Sequence, residues 1–188
     1  LVELGPGRGT LIKDALRAAR VAPEFLRAAS ITLVEVSPVL RQQQKEALAS
    51  VPVAPVDWLE RFEDLGADAG PIILIANEFF DSLPIRQLVR ADGGWTERCV
   101  DLNKDDDLAF GAAPGAINPL VVAERLRGAA DGSIVELAPA RSAVARLIGE
   151  RIRSAGGAAL VIDYGFEGPA TGDTLQAVKR HAFAEVLV

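Results

Sequence analysis

Near its start the chain reads Val2-Glu3-Leu4-Gly5-Pro6-Gly7-Arg8-Gly9-Thr10-Leu11, an acid followed by three glycines at alternate positions. Glycine adopts backbone conformations that other residues resist, so such a run lets main chain come close to a bound group. With a strand leading in and a helix leading out, the free N–H groups and partial positive charge of the helix start favour a ligand with an anionic or polar end. A nicotinamide fingerprint would space its glycines G-x-G-x-x-G, and a phosphate loop would need a lysine directly after its last glycine. Neither fits, because the spacing is G-x-G-x-G and no lysine occupies that place.

Acids recur further along. Glu35 ends a second apolar run, where a carboxylate can accept both hydroxyls of a ribose. Asp57, beside Trp58, reads as standing after a third strand, able to accept from an exocyclic amine such as adenine offers. Glu3, Gly5, Pro6, Gly7, Gly9, Glu35, Asp57, Trp58 and Asn77 make up the candidate cofactor site. A pocket with several carboxylates and no lysine suits a polyphosphate poorly and a cationic nucleoside well. S-adenosylmethionine is such a molecule.

The elements that must position these residues alternate between apolar β-branched runs and runs of helical period, the pattern of parallel strands with crossover helices. Residues 1–4 read as a first strand. Leu11, Ile12, Ala15, Leu16 and Ala19 fall at helical spacing, so a helix begins near Thr10. Residues 30–38 give a second strand closed by Ser37 as N-cap, with Pro38 opening a helix through Leu48. Residues 51–58 form a short third strand and 71–84 a fourth, apolar enough to be covered on both faces. The stretch 85–102 alternates and breaks at Asp92-Gly93-Gly94, a hairpin signal. Residues 103–110 add a turn and a short strand, followed by a Pro/Gly/Ala-rich connection through Pro119. The α/β rhythm then resumes with a strand at 132–139, a helix over 140–155 presenting Val144, Leu147, Ile148 and Ile152, and a buried strand at 157–165. The organisation expected is one domain, 1–188, truncated at both ends, with an inserted antiparallel β region at about 86–118.

Three stretches, ELGPGRGTL at 3–11, ANEFFDSLPIRQ at 76–87 and VIDYG at 161–165, resemble in order and separation the MidA-type family of SAM-dependent methyltransferases, whose mitochondrial members assist respiratory complex I assembly. The resemblance runs from residue 1 to about 180. The first motif is shared by many class I methyltransferases; NEFFDSLP beside it is far more specific, although Ser82 stands where the family pattern has alanine. The family implies a Rossmann-like α/β fold, a mostly parallel sheet of seven strands with helices on both faces and one antiparallel edge strand. It also implies a protein arginine as methyl acceptor, in a respiratory-chain subunit or its bacterial equivalent, and substrate-contacting segments before Leu1 and after Val188. Glu3 would then attract the ammonium of the methionine part, the glycines would admit it, and Glu35 would hold the ribose.

On the acceptor side, Asn77 offers an amide oxygen, while Glu78 and Asp81 are carboxylates suited to a guanidinium. Phe79 and Phe80 can wall the site or stack on the flat cation, with one of them expected in the core. Asn77, Glu78 and Asp81 are therefore the candidate catalytic residues, Glu78 being the first choice for a general base and Asp163 a second. Proton loss after transfer fits equally well.

Composition narrows the partners. With 26 acidic and 20 basic residues the chain carries a net charge of -6, which works against a generic nucleic-acid surface. No run approaches the roughly 20 apolar residues of a membrane span. A lone cysteine, Cys99, rules out an internal disulfide and fits a reducing compartment. The Ala- and Arg-rich composition favours a bacterial cytoplasm, with a mitochondrial matrix the alternative for a eukaryotic chain. The absence of methionine and the apolar residues at both ends point to a piece of a longer protein, and its oligomeric state is open, a homodimer included. Asp105-Asp106-Asp107 does not match a calcium loop, and His181, the single histidine, leaves no basis for a zinc site. Two rival readings stand: a nicotinamide-dependent dehydrogenase, against which the glycine spacing counts, and a non-catalytic assembly factor that keeps the SAM pocket or only the fold.

Overall fold

The computed structural model describes residues 1–51, 55–66, 68–165 and 167–187. In chain order its elements are β1 (Val2–Leu4), α1 (Thr10–Ala18), α2 (Pro23–Ala28), β2 (Ile31–Val34), α3 (Pro38–Leu48), β3 (Val56–Leu59), β4 (Ile72–Asn77), β5 (Arg86–Ala91), β6 (Gly94–Leu102), β7 (Leu108–Ala112), β8 (Ile134–Leu137), α4 (Pro139–Ala155), β9 (Gly157–Ile162), β10 (Ala177–Lys179) and β11 (Ala182–Ala184). They fall into two compact units, 1–83 with 140–165, and 84–139 with 166–188.

The first unit is built on a five-stranded sheet in the order β3-β2-β1-β4-β9, with every neighbouring pair parallel. Successive strands step outward from β1 to β3, and β4 then returns to the other side of β1. The order reverses there, the place beyond whose strand carboxyl ends sheets of this kind bind their ligands. Helices cover both faces. Val2, Leu4, Val34, Ile72, Leu74 and Ala76 pack with Ile148 of α4, against which Val144, Leu147 and Ile152 also lie. On the opposite face Ile31 and Leu33 meet Ile12 and Leu16 of α1 and Leu48 of α3. The start of α3 follows the sequence reading: Ser37 is extended at φ -80°, its Oγ accepts from the Leu40 N–H, and Pro38 takes the first helical position.

The sheet departs from expectation in three places. Among the described residues it has five parallel strands, not seven with an antiparallel edge. The strand at 72–77 is covered on its α4 face only, since Ile73 on the other side is 49% exposed. The strand at 157–162, expected to be buried, is exposed along its length, Leu160 by 57%. It pairs with β4 alone, and apolar composition records what a strand can bury, not what covers it. Of the expected third strand, 52–54 lie outside the described residues, and the observed β3 is shifted toward its end.

The second unit is a four-stranded antiparallel sheet in the order β7-β6-β5-β8. Asp92 and Gly93 turn the β5–β6 hairpin with φ of 50° and 72°, the paired left-handed residues of a type I′ turn. Leu88, Trp95, Val122 and Val135 form its core. β8, expected to resume the α/β alternation, pairs antiparallel with β5 instead. The segment between β9 and β10 is tied to this sheet by polar contacts: Asp173 accepts from Gln87 and Arg98, and Glu136 accepts from Thr174. Asp105 to Asp107 sit in a turn in which Asn103 Oδ1 accepts from the Asp105 and Asp107 N–H groups.

Candidate functional site

The glycine loop joins β1 to α1 at the carboxyl edge of the parallel sheet, beside the point where strand order reverses. Gly5, Gly7 and Gly9 all lie in the left-handed region, with φ of 58°, 53° and 78°. The loop is closed by the Gly9 N–H on the Pro6 carbonyl at 2.8 Å, and Pro6 itself is buried. A Cβ on Gly5 would stand 3.0 Å from Cδ2 of Phe79, whereas one on Gly7 would meet no protein atom within 4 Å. Gly7 therefore borders open space, as a ligand-facing glycine should.

Gly9 is the N-cap of α1 and has no side chain to satisfy the helix's first N–H groups. Glu3 reaches that helix start from the strand. The residue is 2% exposed, and among the described residues Oε2 has no partner. Burial pushes its carboxyl up to about 7, with the Ile12 N–H pulling the other way. A buried acid that is only about half ionised at neutral pH, with one free oxygen, suits a positively charged group.

Glu35 follows β2 and is 7% exposed. Its Oε1 accepts from the Ser37 N–H at 2.9 Å, its Oε2 from Gln44 Nε2 at 3.3 Å, and its carbonyl from Arg41 Nε at 2.6 Å. These bonds fix the carboxylate at the start of α3, and each oxygen keeps a lone pair for a ligand hydroxyl. Gln44 itself escaped the sequence reading. Its Nε2 donates to the Gly7 carbonyl at 2.7 Å, its Oε1 accepts from Trp58 Nε1 at 2.8 Å, and the residue is fully buried. The available signal was a glutamine four residues before Leu48 and four after Leu40, on the inward stripe of α3.

Two placements need correction. Asp57 is the second residue of β3, paired with Thr32, rather than standing after the strand; Glu60 is the acid beyond the strand end. Trp58 turns inward, packs on the α1–α3 core and gives its N–H to Gln44, while Lys45 Nζ lies 5.3 Å from the ring centre. Trp58 thus supports the loop from below, and a lysine stands near a site from which sequence had removed lysine.

Asn77 ends β4 at the same edge of the sheet. Glu78 is exposed and holds a left-handed φ of 48°, an uncommon conformation for a residue with a side chain. Its N–H donates to the Ile162 carbonyl of β9. Asp163 Oδ2 accepts from the Phe80 and Asp81 N–H groups at 2.9 and 3.0 Å, and Oδ1 accepts from the Tyr164 N–H. Arg141 Nε donates to the Phe80 carbonyl at 2.7 Å. Asp163 therefore braces the 77–81 loop, which leaves it badly placed as a general base. Phe79 and Phe80 meet edge to face at 5.4 Å, and both pack against the sheet core, so neither is a free-standing wall. Ser82 Oγ donates to the Phe79 carbonyl. Among the described residues Glu78 and Asp81 have no ion-pair partner, and their carboxylates are open to a cation.

The chain is 34% identical to the protein arginine methyltransferase NDUFAF7, mitochondrial, of Danio rerio, and 36% and 34% identical to the proteins of that name in Mus musculus and Homo sapiens, all of this chain being matched each time. It covers 48%, 47% and 46% of those proteins, so it spans about half the length of the curated relatives it matches. A crystal structure from Burkholderia thailandensis, bound to S-adenosyl-homocysteine, superposes with a TM-score of 0.69 at 27% identity, covering 88% of this chain and 41% of that one. A native structure from the same organism gives 0.70 at 27%, covering 89% and 43%. Residues 1–188 match the model of the family described as "Putative S-adenosyl-L-methionine-dependent methyltransferase", and the chain belongs to that family.

Proposed function

We propose that the chain binds S-adenosylmethionine at the β1–α1 loop and serves transfer of its methyl group to an arginine nitrogen of a protein substrate. The observation that carries this reading is Glu3, buried, its pKa raised to about 7, with an oxygen unpartnered beside the glycine loop. An ammonium is the group that would restore its charge. Gly7 would admit the methionine part, Glu35 would accept from the ribose hydroxyls, and Asn77 would border the crevice. When bound, the cofactor supplies a methyl carbon made electrophilic by a sulfonium. Asn77, Glu78 and Asp81 would hold the guanidinium so that one nitrogen lone pair faces that carbon, which is mostly a matter of positioning. Glu78 would take the proton, during transfer or after it.

The partner fitting the relatives' names is a respiratory complex I subunit or its bacterial counterpart. Its place would be the cytoplasm of a bacterium or the matrix of a mitochondrion, and a homodimer is compatible with both. Calorimetric titration with S-adenosylmethionine, S-adenosyl-homocysteine and NAD tests the cofactor reading. The first two should bind and NAD should not, with Glu35→Ala losing about 1 to 3 kcal/mol, the scale of a charge-assisted pair. Mass spectrometry of arginine peptides tests the transfer. Glu78→Ala should abolish methylation while leaving partner binding intact; a wild-type protein that binds both cofactor and partner yet methylates nothing would favour the non-catalytic assembly factor.

A further inference from the structure

We infer that Gln44 is a positioning residue for the cofactor site, a side chain that sets the glycine loop and the Glu35 carboxylate in a common geometry; this rests on the S-adenosylmethionine reading of that site. The polarity of its contacts is not arbitrary. An indole N–H can only donate, so Trp58 obliges the Gln44 oxygen to face β3. The amide nitrogen must then face the other way, and both groups waiting there, the Gly7 carbonyl and Glu35 Oε2, can only accept. Both Gln44 donors are used, and the network has one consistent arrangement.

Each of the three partners lies on a different element of the parallel-sheet unit: the β1–α1 loop, the end of β2, and β3. Packing follows the same route, since a Cβ on Gly9 would come within 3.4 Å of Gln44 Cγ. Left-handed glycines have many alternative conformations, and of the three in the loop Gly7 alone has no protein atom within 4 Å of where a Cβ would stand. Removing the donor that holds its carbonyl lets the loop populate states that cannot bind. Apparent affinity then falls by the fraction of molecules still competent, without loss of any ligand contact.

The test is calorimetric titration of S-adenosyl-homocysteine into the full-length protein, wild type and Gln44→Met, Trp58→Phe and the double variant, each first shown to melt cooperatively well above the titration temperature. Gln44→Met keeps the side-chain volume and should raise Kd at least tenfold. Trp58→Phe removes the N–H that orients the amide together with one ring of the indole, should raise Kd about threefold or more, and should add little on top of Gln44→Met. A merely structural role would lower melting temperature and leave Kd of the folded protein alone. A folded Gln44→Met that binds within twofold of wild type overturns the inference; if that variant does not fold, Trp58→Phe binding within twofold of wild type does so. A wild type that binds no S-adenosyl-homocysteine sinks the cofactor reading itself, and the inference with it.

Discussion

Glu3 is where pH acts on this protein. Its carboxyl ionises near 4.5 in the unfolded chain and near 7 in the folded one, because burial disfavours the charge. Between those values the unfolded state binds fewer protons, so stability falls as pH rises across the window and is level above it. The cost at pH 8 is on the order of 3 kcal/mol relative to pH 4. Glu3→Gln removes that dependence. The variant's melting temperature should gain on wild type steadily between pH 5 and 7.5, and parallel curves would show that Glu3 is not the group responsible. Binding should move the opposite way: a ligand ammonium needs the carboxylate, so wild-type affinity should rise with pH through about 7 and the variant's should not. Sequence singled out Glu3 by its place two residues before the first glycine and Glu35 by its place after an apolar run, and the structure buries both. Asp57 was misplaced because a strand's end cannot be read to within two residues, and Gln44 was missed because a polar residue on a helix is ordinarily taken to face water.

At the level of elements, the β1–α1 turn separates what a glycine does for the fold from what it does for a ligand. Gly5 and Gly7 have nearly the same φ, so alanine at either one costs about 1 kcal/mol of backbone strain. Only at Gly5 would the new methyl press on Phe79, at 3.0 Å. Gly5→Ala should therefore melt lower than Gly7→Ala, while Gly7→Ala, which puts a methyl into the open side of the loop, should lose more cofactor affinity than its stability suggests. Thermal melts and titrations of both variants check this; equal melting temperatures would mean that Phe79 gives way. Boundaries with local chemistry were legible from sequence: Ser37-Pro38 at the start of α3, Asp92-Gly93 in the hairpin. Partnership was not. β8 reads as a strand wherever it pairs, and only the register with β5 shows that it joins the antiparallel sheet. The exposure of β9 was equally hidden, since periodicity reports a strand's two faces and says nothing of what lies against them.

Over the whole molecule, charge is the property that sequence states most directly and that a substrate meets first. The net charge of -6 and a pI near 4.9 would draw a basic partner toward this chain before any contact forms. In the 77–81 loop Glu78 and Asp81 are exposed carboxylates, whereas Glu3 and Glu35 are buried. Salt screens the two pairs unequally, because the Debye length of about 10 Å at 0.1 M applies to charges in water and far less to charges inside protein. Raising salt from about 0.05 to 0.3 M should therefore increase KM for an arginine peptide flanked by further basic residues several-fold. The dissociation constant of S-adenosyl-homocysteine should change by less than twofold over the same range. Replacing the flanking basic residues with glycine should remove most of the salt dependence. A KM indifferent to salt would mean that the acceptor is held by shape and hydrogen bonding alone, and would take Glu78 and Asp81 out of substrate capture.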